Sequence, residues 1–102
     1  MWRRRVVLSM LVALWMVTGC TTPYGQGRSA LRQGNYDEAA RYFEQALAQD
    51  PNRVDALAGL GIARYKEGLL DEAVNTLSGA VIRGPHHETA QLYLGLAYLS
   101  LA

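Results

Sequence analysis

Residues 34–68, GNYDEAARYFEQALAQDPNRVDALAGLGIARYKEG, and residues 68–102, GLLDEAVNTLSGAVIRGPHHETAQLYLGLAYLSLA, are two copies of one pattern. Laid over each other at a shift of 34 they share ten identities in 35 pairs: Gly34/Gly68, Asp37/Asp71, Glu38/Glu72, Ala39/Ala73, Ala46/Ala80, Pro51/Pro85, Ala56/Ala90, Leu60/Leu94, Gly61/Gly95 and Ala63/Ala97. Phe43/Leu77, Leu47/Val81 and Ile62/Leu96 are conservative pairs, and the pattern runs backwards into Gly27/Gly61 and Arg32/Lys66. Self-similarity at a period between 20 and 50 residues signals stacked supersecondary units, none of which can bury its own apolar face alone.

Each copy has helical spacing. Ala39, Phe43, Ala46 and Leu47 recur on one face of a helix predicted over Asp37–Gln49. Asn35 is the expected cap, with Glu38 three residues on as its capping-box partner. Asp50-Pro51 stops this helix, because a residue before proline avoids helical angles. Asn52 is the expected cap of the next helix, which runs to about Glu67, and Gly68 supplies the left-handed residue of a tight turn. A further helix covers Asp71–Arg83 and ends at Gly84-Pro85, and another runs from His87 onward. Counting one over Tyr24–Gln33, the chain holds five helices stacked as antiparallel pairs. Gly61, Gly95, Ala39 and Ala73 are expected to be small because paired helices cross closely there.

A period of 34 with Leu57, Leu60-Gly61, Ala73, Leu77 and Pro85, preceded by Gly27, Gly34, Ala39, Phe43 and Pro51 and followed by Leu94-Gly95 and Tyr98, resembles the tetratricopeptide repeat. Leu57 and Gln91 replace the usual tryptophan, and Arg64 stands where the family has an aromatic residue. The resemblance implies an all-α helical-hairpin solenoid of about two and a half repeats over residues 24–102, with units at 24–53, 54–87 and a partial 88–102. Repeat arrays usually need about three units, so the chain is expected to be marginal alone or a truncated version of a longer protein.

The first twenty residues read differently. Arg3, Arg4 and Arg5 precede twelve mostly apolar residues, Val6–Val17, and then Thr18, Gly19 and Cys20. A basic start, a short apolar run and small residues before a cut mark a secretory signal, over 1–19. The run is shorter than the roughly 20 residues a membrane span needs. Val17-Thr18-Gly19-Cys20 resembles the lipobox of bacterial lipoproteins. That resemblance implies that the Cys20 thiol takes a diacylglyceryl group and that cleavage falls before it. Residues 20–23 would then be a lipidated cysteine and a short tether, reaching little more than about 10 Å. Thr21 follows, not the aspartate associated with inner-membrane retention, so the periplasmic face of an outer membrane is the expected location.

Charge and chemistry exclude several function classes. The signal holds three of the ten basic residues, and the rest of the chain sets seven against nine acids. That is no basic footprint, so nucleic acid is not expected as a partner. A single cysteine permits no intrachain disulfide. His86 and His87 are adjacent, and adjacent side chains on a helix do not face each other. They read as solvated loop histidines, and no metal, cofactor or catalytic residue is expected. Asp37-Glu38 and Asp71-Glu72 open helices, where acids favour the dipole.

What remains is a surface for a protein or peptide partner. The resemblance implies that the first helix of each pair lines a concave face. Its candidates are Tyr24, Arg28, Arg32, Asp55 and Ile62, continuing through Tyr65, Lys66, Leu92, Leu96 and Leu99. Arg28, Arg32 and Lys66 would form a basic strip beside Tyr65 and Ile62, suited to a segment with a carboxylate and an apolar side chain. The expected function is a membrane-anchored adaptor or assembly factor of the bacterial envelope, not an enzyme. Pilus or secretion-system biogenesis is the narrower alternative. Leu92–Ala102 contains no charged residue, and self-association through this last helix is expected.

Overall fold

The computed structural model describes residues 22–102. They form α1 (Pro23–Arg32), α2 (Tyr36–Gln49), α3 (Val54–Lys66), α4 (Leu70–Arg83) and α5 (Glu88–Leu101). The five expected helices are present, with ends shifted by one or two residues. The fold is all-α, a stack of antiparallel hairpins. No helix among the described residues is long and apolar enough to cross a membrane. The signal segment and Cys20 lie outside the described residues.

The 34-residue period is visible in the turns. Gly34 and Gly68 take the left-handed backbone, with φ of 80° and 82°. A side chain at either position would be strained. Around each, the same two bonds close the preceding helix. Gly34 N–H bonds Leu31 O and Asn35 N–H bonds Ala30 O, just as Gly68 bonds Tyr65 and Leu69 bonds Arg64. This is the Schellman arrangement, which satisfies carbonyls orphaned at a helix end. The other turns form a second matched pair: Asp50 N–H bonds Ala46 O before Pro51, and Gly84 N–H bonds Ala80 O before Pro85.

Three helix starts differ from the sequence reading. The Asn35–Glu38 capping box does not form. Its return bond needs the Asn35 N–H, which the Schellman turn has already committed to Ala30 O at 2.9 Å. The Asn35 amide instead reaches Gln33 Oε1. The cap of α3 is Arg53, not Asn52. Asn52 Oδ1 accepts a bond from Arg83 Nε at 3.1 Å, tying the α2–α3 turn to the end of α4. α1 starts at Pro23 with Thr22 as its cap, whose hydroxyl accepts the Gly25 N–H at 3.0 Å. Two residues of the expected tether thus belong to the helix and its cap.

Each helix packs on its neighbours in chain order, and α3 also packs directly on α1 and α5. No such contact joins α2 to α4. The odd helices therefore close up into an inner layer while the even ones splay apart, and the stack is concave on the α1–α3–α5 side. The core is mostly alanine, with Ala39, Ala56, Ala63, Ala73, Ala80, Ala90 and Ala97 fully buried. Its only large, fully buried side chains among the described residues are Phe43 and Leu77. Each is a knob on glycine. A Cβ on Gly27 would lie 2.9 Å from the Phe43 ring, and one on Gly61 would lie 2.5 Å from the Leu77 side chain. Gly95, the next in this series, has nothing within 4 Å of that position. The close crossing expected there is not made, because no described helix lies beyond α5.

Arg64 takes the place of an aromatic by binding three acids. Its guanidinium lies 2.8 Å from Glu44 on α2, 3.5 Å from Glu67 and 3.3 Å from Glu72 on α4. The group is only 23% exposed. Isolated surface pairs contribute little, but a half-buried cation shared among three helices forms a network. Arg64→Met is expected to lower stability by about 1 kcal/mol. It should also flatten the dependence of the melting temperature on salt, since screening weakens only the charged form of this joint. Thermal melts at low and high salt check this.

Candidate functional surface on the concave face

The inner layer leaves a cavity of about 320 Å³ between α1, α3 and the start of α5. Tyr24, Arg28 and Leu31 line it from α1, Asp55, Ala58, Gly59 and Ile62 from α3, and His87 and Thr89 from the α5 end, with Phe43 at its floor. The glycine and alanine are what make room: α3 presents no bulk at 58 and 59, and the buried Phe43 ring packs directly behind Gly59.

Tyr24 organises one wall. Its ring tilts against Phe43 at 5.9 Å between centroids. The Arg53 guanidinium stands 4.0 Å from the Tyr24 centroid and that of Arg28 stands 5.9 Å away. A guanidinium over an aromatic face is held by the ring quadrupole while its N–H groups remain available to other acceptors. Neither arginine has a carboxylate partner among the described residues.

Asp55 and His87 form the opposite wall. His87 caps α5: its Nδ1 accepts the Ala90 N–H at 3.1 Å. A backbone N–H can only donate, so Nδ1 is the unprotonated nitrogen, and Nε2–H points to Asp55 Oδ1 at 3.1 Å. His87 is thus not a solvated loop residue. It joins α3 to α5, and only His86 is exposed as expected. Because Asp55 is engaged by His87, the cavity offers Arg28 as an uncommitted cation beside one occupied acid, with Arg53 adjacent on the Tyr24 ring.

Four of the ten expected concave-face residues line this cavity: Tyr24, Arg28, Asp55 and Ile62. Arg32 and Lys66 are exposed at the far ends of α1 and α3 and do not join Arg28 there. Tyr65 packs edge-on against Tyr93, centroids 5.6 Å apart. Leu92 and Leu99 are exposed on α5, and Leu96 is half-buried. Some of the other lining residues have period equivalents: Leu31 is the equivalent of Tyr65, Thr89 of Asp55, and His87 of Arg53, each 34 residues apart. Among the described residues no group of three or more His, Cys, Asp or Glu could hold a metal ion.

These features define an α-helical repeat of antiparallel hairpins with a concave inner layer. The chain belongs to the tetratricopeptide repeat family, whose sequence profile matches residues 24–85 and 60–101. It is 31% identical over 78 residues to the photosystem I assembly protein Ycf3 of Prochlorococcus marinus strain NATL2A, covering 74% of this chain and 45% of that protein. It is 40% identical over 50 residues to tetratricopeptide repeat protein 8 of Caenorhabditis elegans, covering 49% of this chain and 10% of that protein. It is 46% identical over 43 residues to cellulose synthase operon protein C of Komagataeibacter xylinus, covering 38% of this chain and 3% of that protein. The chain spans less than half the length of these relatives.

Proposed function

We propose that the chain is a lipid-anchored adaptor or assembly factor of a bacterial cell envelope that holds a segment of a partner protein on its concave face and catalyses no reaction. The observation that carries this is the cavity itself. It has an aromatic and aliphatic floor of Phe43, Tyr24 and Ile62, Arg28 lines it, and Arg53 stacks on the Tyr24 ring beside it, both without acid partners among the described residues. A segment with one apolar side chain and a nearby carboxylate satisfies both parts, since a guanidinium binds a carboxylate in a bidentate, charge-assisted manner. A relative is named as an assembly protein, which supports a role in holding a partner during assembly and leaves the partner itself open.

The anchor rests on Val17-Thr18-Gly19-Cys20 behind a basic and apolar start. Two or more acyl chains hold a protein to a bilayer lastingly. With only Thr21 between Cys20 and the Thr22 cap of α1, the repeat sits against the membrane surface and meets partners that are there or brought there. Thr21 after the cysteine favours the periplasmic face of an outer membrane. Self-association through α5 is the second part of the reading.

Two measurements test it. Cys20→Ser is expected to abolish acyl labelling and lipoprotein-type cleavage, leaving the longer, unprocessed chain. Labelling that persists in the variant overturns the anchor. A photocrosslinking residue at Thr89, on the concave wall, is expected to give a partner adduct in intact cells, while one at Gln45 on exposed α2 does not. Arg28→Glu with Arg53→Glu should weaken the Thr89 adduct about tenfold or more, the size of effect expected for a charged anchor at an interface. Equal adducts from Thr89 and Gln45 would refute the concave site.

A further inference from the structure

The α5 face that would meet a following helix differs in chemistry from its counterpart on α3. On α3 that face is Gly61, Arg64 and Glu67: the glycine receives Leu77, and Arg64 reaches Glu72 at the start of α4. Shifted by 34, the same face of α5 is Gly95, Tyr98 and Leu101. Both charges have become apolar. Tyr98 is 54% and Leu101 47% exposed, and the space over Gly95 is open. An acid-headed helix like α2 or α4 has no cation to meet here. Beyond Glu88, α5 carries no charged side chain, so an identical neutral face can approach it without repulsion.

We infer that this face is covered by α5 of a second copy, antiparallel and related by a two-fold axis, with Tyr98 of each copy seated on Gly95 of the other. The inference rests on the self-association reading and specifies its geometry. A two-fold contact is self-complementary, so any residue i facing j implies j facing i. With the axis midway between Gly95 and Tyr98, the two glycine sockets take the two tyrosine knobs. Leu101, 47% exposed in one copy, borders the same contact one turn beyond Tyr98. A large side chain on glycine is the joint this molecule already makes at Phe43 on Gly27 and at Leu77 on Gly61. The second copy supplies the third instance, and the glycine lets the helices approach as closely as they do inside the fold.

The test uses two full-length chains with different tags, both Cys20→Ser so that no other thiol is present. One carries Gly95→Cys, the other Tyr98→Cys. When they mix, the other half of the contact keeps its native Tyr98 and Gly95. The expected result is a mixed 95–98 disulfide under mild oxidation, formed in at least about tenfold excess over a 45–98 pair made with Gln45→Cys. Tyr98→Arg, which restores the residue type that α3 carries, should turn dimer into monomer by sedimentation with helicity unchanged. Dimers without the 95–98 disulfide overturn this arrangement and leave self-association standing. Monomers throughout overturn both. A thiol introduced by Gly95→Cys that is shielded from a water-soluble maleimide yet forms no disulfide overturns the second copy in favour of a different occupant. The Thr89 crosslink is independent of all three outcomes.

Discussion

Ala73→Arg is expected to abolish the cooperative unfolding transition of the repeat. Ala73 is fully buried together with Leu77 and Ala97, and Tyr65, Val74, Tyr93 and Leu94 pack against that cluster. Ala73 itself has no solvent-exposed surface, so a long side chain there must displace its neighbours. Overpacking alone costs about 1–3 kcal/mol, and a guanidinium buried without a partner adds several more. A small domain holds roughly 0.05–0.15 kcal/mol per residue. For the 81 residues described here that is on the order of 4–12 kcal/mol. The two penalties together match the whole. Arg41→Ala is the companion variant: Arg41 is exposed on α2, and its loss should be within about 0.5 kcal/mol of neutral. Circular dichroism melts read both. Two superimposable melts would mean that the helix faces are wrongly assigned.

The contrast between Ala73 and Arg41 is legible in the sequence alone, because the period and helical spacing place alanine inward and arginine outward. The same holds for Gly34 and Gly68, where a glycine after a periodic run has one common use. The caps are less legible. Asn35 looks like a capping residue, but the Glu38 N–H it would accept is bonded to Asp37 Oδ1, and its own N–H is spent on the turn before it. Arg53 carries no local signal, since its role comes from the Tyr24 ring brought beside it by α1–α3 packing. His87 reads as solvated because sequence adjacency to His86 says nothing of Asp55 across the inner layer. Applied to loops as it is to helices, the 34-residue shift marks Arg53 and His87 as one position occupied twice. Gly95 goes the other way. The period implies a close crossing, but a crossing needs two helices, and among the described residues α5 packs only on α3 and α4.

The same shift pairs Gly59 with Tyr93, and Phe43 with Leu77. These are compensating changes in size. In the first unit the large ring of Phe43 faces glycine on α3: a Cβ on Gly59 would lie 2.5 Å from its tip. In the second, the smaller Leu77 shares its cluster with Tyr93 on α5. Phe43→Ala removes the largest fully buried side chain of α2 and leaves a space that the glycines at 27 and 59 cannot fill. It is expected to cost about 3–5 kcal/mol, enough to leave the α1–α2 hairpin unfolded at ordinary temperature while α3–α5 retain part of their helicity. Gly59→Ala pushes a methyl into a ring that Gly27 already backs, so the ring has nowhere to move, and about 1–3 kcal/mol is expected from overpacking. Phe43→Leu makes the hole that this methyl needs. The double variant Phe43→Leu, Gly59→Ala should therefore be more stable than the sum of the single changes by about 1 kcal/mol, the range seen for residues in direct contact. Denaturant unfolding of the four proteins in that cycle measures the coupling. A coupling of zero would mean that the two positions do not share the space, and that Phe43 is held by Gly27 and Tyr24 alone.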